Sequence, residues 1–187
     1  TKKADFNLIA EKFNISPMLA RIIRNRDVIT QEEVGFYLNG TPDDMHNPFK
    51  MEDMEKGAYL LLESIKEKKR IRIIGDYDVD GICASTILKK GLEELGADVS
   101  AVIPHRMRDG YGLNRRLIEE ACEDGIDMIV TCDNGIAAAD EIAYAAERGM
   151  SVVVTDHHEV PYEDDGGIHR QILPPADAVI NPKQEGC

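Results

Sequence analysis

Beyond Arg70 the chain alternates short β-rich runs with helical stretches, and this alternation narrows the possible folds more than any other feature. The runs are "IRIIG" (71–75), "DVSAVIP" (98–104), "DMIVTC" (127–132) and "SVVVT" (151–155), with "DAVIN" (177–181) after a proline-containing loop. Helical patterns over 82–95, 114–122 and 136–148 separate the first four. Strands joined by helices of that length call for right-handed crossovers, so the pattern predicts an α/β fold with a mostly parallel β-sheet and helices on both faces. Sheets of this kind hold their chemistry just beyond the carboxyl ends of the strands.

Residues 1–55 read differently. Ser16-Pro17, Asn39-Gly40-Thr41-Pro42 and Asn47-Pro48 punctuate helically spaced apolar residues, and Thr30-Gln31-Glu32-Glu33 has the form of a capped helix start. This predicts a small helical lead-in (1–55) before a larger domain (56–187), with a helix over 51–68 delivering the chain to the first strand. A length of 187 residues suits one domain plus such an attachment. The sequence has no initiator methionine, which reads as a segment of a longer chain.

No stretch approaches the roughly 18 to 20 apolar residues of a membrane span, and the start lacks a signal-peptide pattern. The four cysteines, Cys83, Cys122, Cys132 and Cys187, show no CxxC pairing. They read as reduced thiols of a cytoplasmic protein with no membrane partner. A net charge of -13 argues against nucleic acid on average, unless the acids are gathered at a cation site. Basic residues cluster in "KEKKRIR" (66–72), which reads as a solvated face, and in "HRMRDGYGLNRR" (105–116).

The residues after each strand are chemically pointed. Asp76, Asp78 and Asp80 follow "IRIIG", Asp133 and Asn134 follow "DMIVTC", and Asp156, His157 and His158 follow "SVVVT". In an extended segment Asp76, Asp78 and Asp80 share one face, with Tyr77 and Val79 packed away from it and Gly81 turning the chain into a helix. Oxygen ligands with an imidazole suit Mn²⁺ better than Mg²⁺. So many acids suggest two ions about 3.5 to 4 Å apart clamping a phosphoryl group, with Asp133 bridging them.

"DYDVDG" also opens like an EF-hand loop, but its twelfth position is Ile87 rather than Glu, and the preceding run is strand-like. A phospho-acceptor receiver has no use for paired histidines at another strand end. His105, Arg106, Arg108 and Tyr111 lie past "DVSAVIP", on the same rim, where guanidinium groups suit a phosphate.

Taken together, "GDYDVDG", "PHRMRDGYGLN", "TCDNGI", "TDHHE" and "ADAVINPK" resemble the DHH phosphoesterase superfamily, and within it the RecJ family of single-stranded-DNA exonucleases. The resemblance, which extends to the helical lead-in, implies metal ligands at Asp76, Asp78, Asp80, Asp133 and His157. It implies that His158 faces the scissile phosphate, that Asp156 orients the histidines and that His105, Arg106, Arg108 and Tyr111 contact nucleic acid. Asn134 stands where many members have cysteine, a change read as harmless. Implied too are two Mn²⁺ or Mg²⁺ ions, 5'-to-3' digestion of single-stranded DNA in repair and recombination, and partners such as single-stranded-DNA-binding protein and a helicase. The family's fourth motif, a further metal-binding aspartate downstream of "INPK", is not among these residues, so the segment alone is expected to bind Mn²⁺ weakly and cleave poorly. Two rivals are a small-nucleotide phosphodiesterase or pyrophosphatase with the same metal site, and a non-catalytic replication scaffold.

Overall fold

The computed structural model describes residues 5–166 and 168–187, with backbone only for Asp165, Ile168 and His169. The chain divides into two compact units, one ending at Asn47 and one spanning Pro48–Cys187. The first holds α1 (Phe6–Phe13), α2 (Pro17–Asn25) and α3 (Gln31–Asn39), which bury Ala10, Ala20, Ile23 and Val34. The capped start read in the sequence is present. Thr30 Oγ1 accepts from Glu33 N at 3.1 Å, and Glu33 Oε2 accepts from Thr30 N at 2.7 Å.

The second unit begins with α4 (Met54–Lys66) and continues through β1 (Arg70–Gly75), α5 (Val79–Glu94), β2 (Asp98–Val102), α6 (Arg115–Glu123), β3 (Met128–Cys132), α7 (Ala139–Glu147) and β4 (Ser151–Thr155). A hairpin of β5 (Tyr162–Asp165) and β6 (Ile168–Gln171) precedes β7 (Ala178–Ile180). The five-stranded sheet runs β2-β1-β3-β4-β7 with every neighbour parallel, as the alternation predicted. Alternation along each strand divides the core. Ile71, Ile73, Val130, Val153 and Ile180 pack under α4 and α5, whereas Ile74, Ile129, Val152 and Val154 pack under α6 and α7.

Three local readings change. First, α5 begins at Val79, not at 82, because Asp78 caps it: its Oδ1 accepts from Asp80 N at 2.8 Å and from Gly81 N at 3.1 Å. Asp80 and Val79 therefore lie in a helical first turn rather than on an extended strand, and Val79 is exposed. Second, Arg72 is buried in the sheet, not solvated; its guanidinium pairs with Asp124 at 2.9 Å and donates to Ser100 Oγ at 3.1 Å. Third, the proline-containing loop expected before "DAVIN" includes the β5–β6 hairpin, whose first strand, "YEDD" (162–165), is charged and lacks an apolar alternation.

Gly81 does more than permit a turn. A Cβ there would lie 2.5 Å from Asp76 N and O, so the helix start rests on the backbone at the end of β1. Gly75 makes the matching approach, since a Cβ on it would lie 2.1 Å from Ser85 Oγ.

Candidate metal centre

Three aspartates line the carboxyl edge of the sheet, one per strand, each pinned by its own amide. Asp76 N donates to Cys132 O (3.2 Å), Asp133 N to Thr155 O (3.0 Å) and Asp156 N to Ile180 O (3.1 Å). Each bond extends the parallel ladder one residue past a strand end, which fixes the side chains on a rigid rim.

Asp133 sits in the left-handed region, at φ 63°. That conformation is uncommon outside glycine but tolerated by Asp. Its neighbour Asn134 is fully buried and acts as a strut: Nδ2 donates to Ile74 O at 3.0 Å and Cys132 O at 2.9 Å, while Oδ1 accepts from Leu113 N at 3.2 Å. Asn134 therefore ties β1, β3 and the 110–113 turn together, a role a cysteine side chain cannot fill, having neither two donors nor a strong acceptor. The sequence reading took Asn134 as a harmless replacement and gave it no role; its place beside a strand-end aspartate was the signal for one.

The acids and imidazoles converge on Asp133. Ligand atoms of Asp76, Asp78 and Asp133 lie within 4.8 Å of one another, as do those of Asp133, His157 and His158. His157 Nε2 is 2.7 Å from Asp133 Oδ1. Asp80 lies outside both groups but lines, with Asp133 and His157, a cavity of about 590 Å³. That cavity is otherwise mostly apolar, bounded by Met54 and Leu61 of α4, Leu88 of α5 and Val130 and Val153 of the sheet.

Asp156 stands behind the histidines. Its Oδ1 accepts from His157 N (2.7 Å), His158 N (3.1 Å) and His158 Nδ1 (2.7 Å), and its Oδ2 accepts from Ile136 N (3.0 Å). A carboxylate with this many donors orients its neighbours instead of facing outward. Asn181, also fully buried, supports the same turn by donating to His158 O at 3.0 Å.

The electrostatics follow from this crowding. Burial pushes the Asp133 carboxyl above the usual carboxylate range, the charge of Asp78 adds to the shift, and the His157 hydrogen bond offsets part of it. Asp78 is held below that range, chiefly by the Gly81 N–H. The hydrogen bond to Asp156 raises His158 above the ordinary imidazole value. Asp76 is 1% exposed, and its Oδ1 has no hydrogen-bond partner among the described residues. A buried, unsatisfied carboxylate oxygen beside two further carboxylates is costly without a cation, so these residues fit a divalent ion.

The 105–116 turn is organised by Asp109. Its carboxylate accepts from His105 N (2.7 Å), Arg108 Nε (3.0 Å) and both Nε (2.7 Å) and Nη2 (2.6 Å) of Arg116. Arg108 and Arg116 are thus bound within the turn, and His105 enters through its backbone. Arg106 lies over the Tyr77 ring, 5.1 Å from its centroid. Tyr111 donates its hydroxyl to Asp133 O at 2.8 Å.

A parallel α/β sheet thus gathers carboxylates and imidazoles on its carboxyl edge, where such side chains can hold divalent cations. Residues 70–187 match the family described as "DHH family, N-terminal domain", and the chain belongs to that family. It is 35% identical over 179 residues to the single-stranded-DNA-specific exonuclease RecJ of Bacillus subtilis, covering 96% of this chain and 22% of that protein. It is 30% identical over 174 residues to RecJ of Escherichia coli, covering 92% of this chain and 28% of that protein. The chain therefore spans less than a third of these relatives. Among solved structures, a manganese-bound exonuclease RecJ aligns with TM-score 0.64 at 35% identity, over 75% of this chain and 34% of that one. RecJ from Thermus thermophilus in complex with Mn²⁺ aligns with TM-score 0.62 at 28% identity, over 95% of this chain and 23% of that one.

Proposed function

We propose that this chain is the metal-binding part of a single-stranded-DNA-specific exonuclease that hydrolyses phosphodiester bonds from the 5' end. The observation that carries the reading is the sharing of Asp133 between the two ligand groups, one of them containing the unsatisfied Asp76 oxygen. Asp76, Asp78 and Asp133 would hold one divalent cation, and Asp133 with His157 a second, with Asp80 at the cavity rim as a further ligand. Mn²⁺ suits this mixture of oxygen and imidazole, and Mg²⁺ the all-oxygen group. When bound, such ions supply an activated water near neutral pH and offset phosphoryl charge.

The protein's own part is positioning. The pinned strand ends fix the carboxylates, and Asp156, gripping His158 at Nδ1, favours the imidazolium form, whose Nε2–H can donate to a phosphate oxygen. Arg106, held on Tyr77 at the same rim, adds positive charge for the strand. DNA as substrate implies work in repair and recombination, with the cytoplasm as its place. Single-stranded-DNA-binding protein and a helicase are the partners such work would need.

The test uses the full natural polypeptide, Mn²⁺ and a single-stranded oligonucleotide labelled separately at each end. Immediate release of labelled mononucleotide from the 5' end alone is the expected result. Activity confined to di- or cyclic nucleotides, or none, would overturn it.

A further inference from the structure

We infer that Tyr111 is a positioning residue, whose hydroxyl locks the His158 ring in its working orientation; this rests on the phosphodiester hydrolysis proposed above. A hydroxyl has one proton to give, and that of Tyr111 goes to Asp133 O at 2.8 Å. The same oxygen lies 3.3 Å from His158 Nδ1 and 3.4 Å from Nε2, so it rests against the ring between the two nitrogens and is not aimed along either one. Asp156 grips His158 at Nδ1 alone, and a ring held at one atom can still pivot about that contact. The Tyr111 oxygen, itself fixed by its bond to Asp133 O, supplies the second point as a packing contact against the ring, since neither it nor Nδ1 has a further proton to share.

The tyrosine is itself built into place. Its ring meets His158 edge-on at 5.8 Å between centroids and Tyr77 edge-on at 6.3 Å. Gly110 (φ 77°) and Gly112 (φ 66°) make the turn on either side of it. The Asp109 carboxylate, whose side chain is 2% exposed, anchors that turn to Arg116 of α6, and Asn134 Oδ1 receives Leu113 N on the far side. The hydroxyl of Tyr111 is thus directed inward, to the residues that bear the chemistry, and not outward to a strand.

The experiment is Tyr111→Phe in the full natural polypeptide with Mn²⁺, assayed on a single-stranded oligonucleotide and on bis(p-nitrophenyl) phosphate. Loss of the locking hydroxyl should lower kcat about tenfold on both substrates, with KM for the oligonucleotide held within about twofold. In a His158→Ala background it should cause no further loss, because the two residues act as a unit. Asp109→Asn, which loosens the turn, should lower kcat in the same sense and add little to Tyr111→Phe. A raised KM with unchanged kcat would make Tyr111 a strand contact and overturn the inference, as would additivity with His158→Ala. If the unmodified protein cleaves neither substrate, the proposed function fails, and the inference is decided by the His158 ring nitrogen resonances. A change on Tyr111→Phe upholds the contact and no change refutes it.

Discussion

Asp133 and His157, 24 residues apart in sequence, meet at 2.7 Å across the ends of two neighbouring parallel strands. Asp133 also belongs to the carboxylate group with Asp76 and Asp78, which makes it the common member of both candidate cation positions.

Asp133→Asn isolates that role. Asparagine tolerates the left-handed backbone at φ 63°, so the fold should persist by circular dichroism, while Mn²⁺-dependent cleavage falls by at least about a thousandfold. Retained activity would remove Asp133 from the centre of the site.

Asp156→Asn tests the support behind the histidines. Losing a carboxylate that orients metal-binding imidazoles typically costs about 10- to 100-fold in metal affinity, and titration calorimetry with Mn²⁺ should show a loss of that order. An unchanged affinity would mean that the histidines are held by packing alone.

The metal-free protein should lose stability as pH rises. His158, raised by Asp156, contributes stability that is present below its unfolded value of about 6.5 and is lost as pH climbs through the higher folded value. Asp133, raised by burial, acts in the same direction, because its ionised form is the disfavoured one in the fold. Thermal melts in chelator between pH 5 and 8 should show a falling Tm, and Mn²⁺ at the upper end should restore it. A Tm that rises over this interval would contradict the His158 assignment, since the window of Asp133 opens lower, at its unfolded value of about 3.9.

Gly81→Ala places a methyl against the backbone of Asp76. The clash at 2.5 Å involves main-chain atoms that cannot swing aside, so urea unfolding should show a loss of about 1–3 kcal/mol. Stability within a few tenths of wild type would mean that α5 can shift without cost.

Much of this was legible in the sequence, for identifiable reasons. A parallel sheet covered on both faces leaves continuous apolar runs, so "IRIIG", "DMIVTC" and "SVVVT" marked β1, β3 and β4 within a residue. The rule that chemistry follows strand ends then pointed to Asp76, Asp133 and the Asp156–His158 run. What escaped depended on contacts distant in sequence. Asn134 joins residues 60 and 21 positions away, and Asn181 reaches His158 across 23. Asp78 was read as lying on a strand because its capping of α5 competes with the extended pattern that alternate aspartates suggest. Arg72 was assigned to the surface by its basic neighbours, while its partner Asp124 lies at the far end of α6.

The most direct measurement is an anomalous difference map from crystals of the natural polypeptide soaked in Mn²⁺. Two peaks are predicted, one against Asp76, Asp78 and Asp133 and one against Asp133 and His157. Manganese bound elsewhere, with none touching Asp133, would contradict the account.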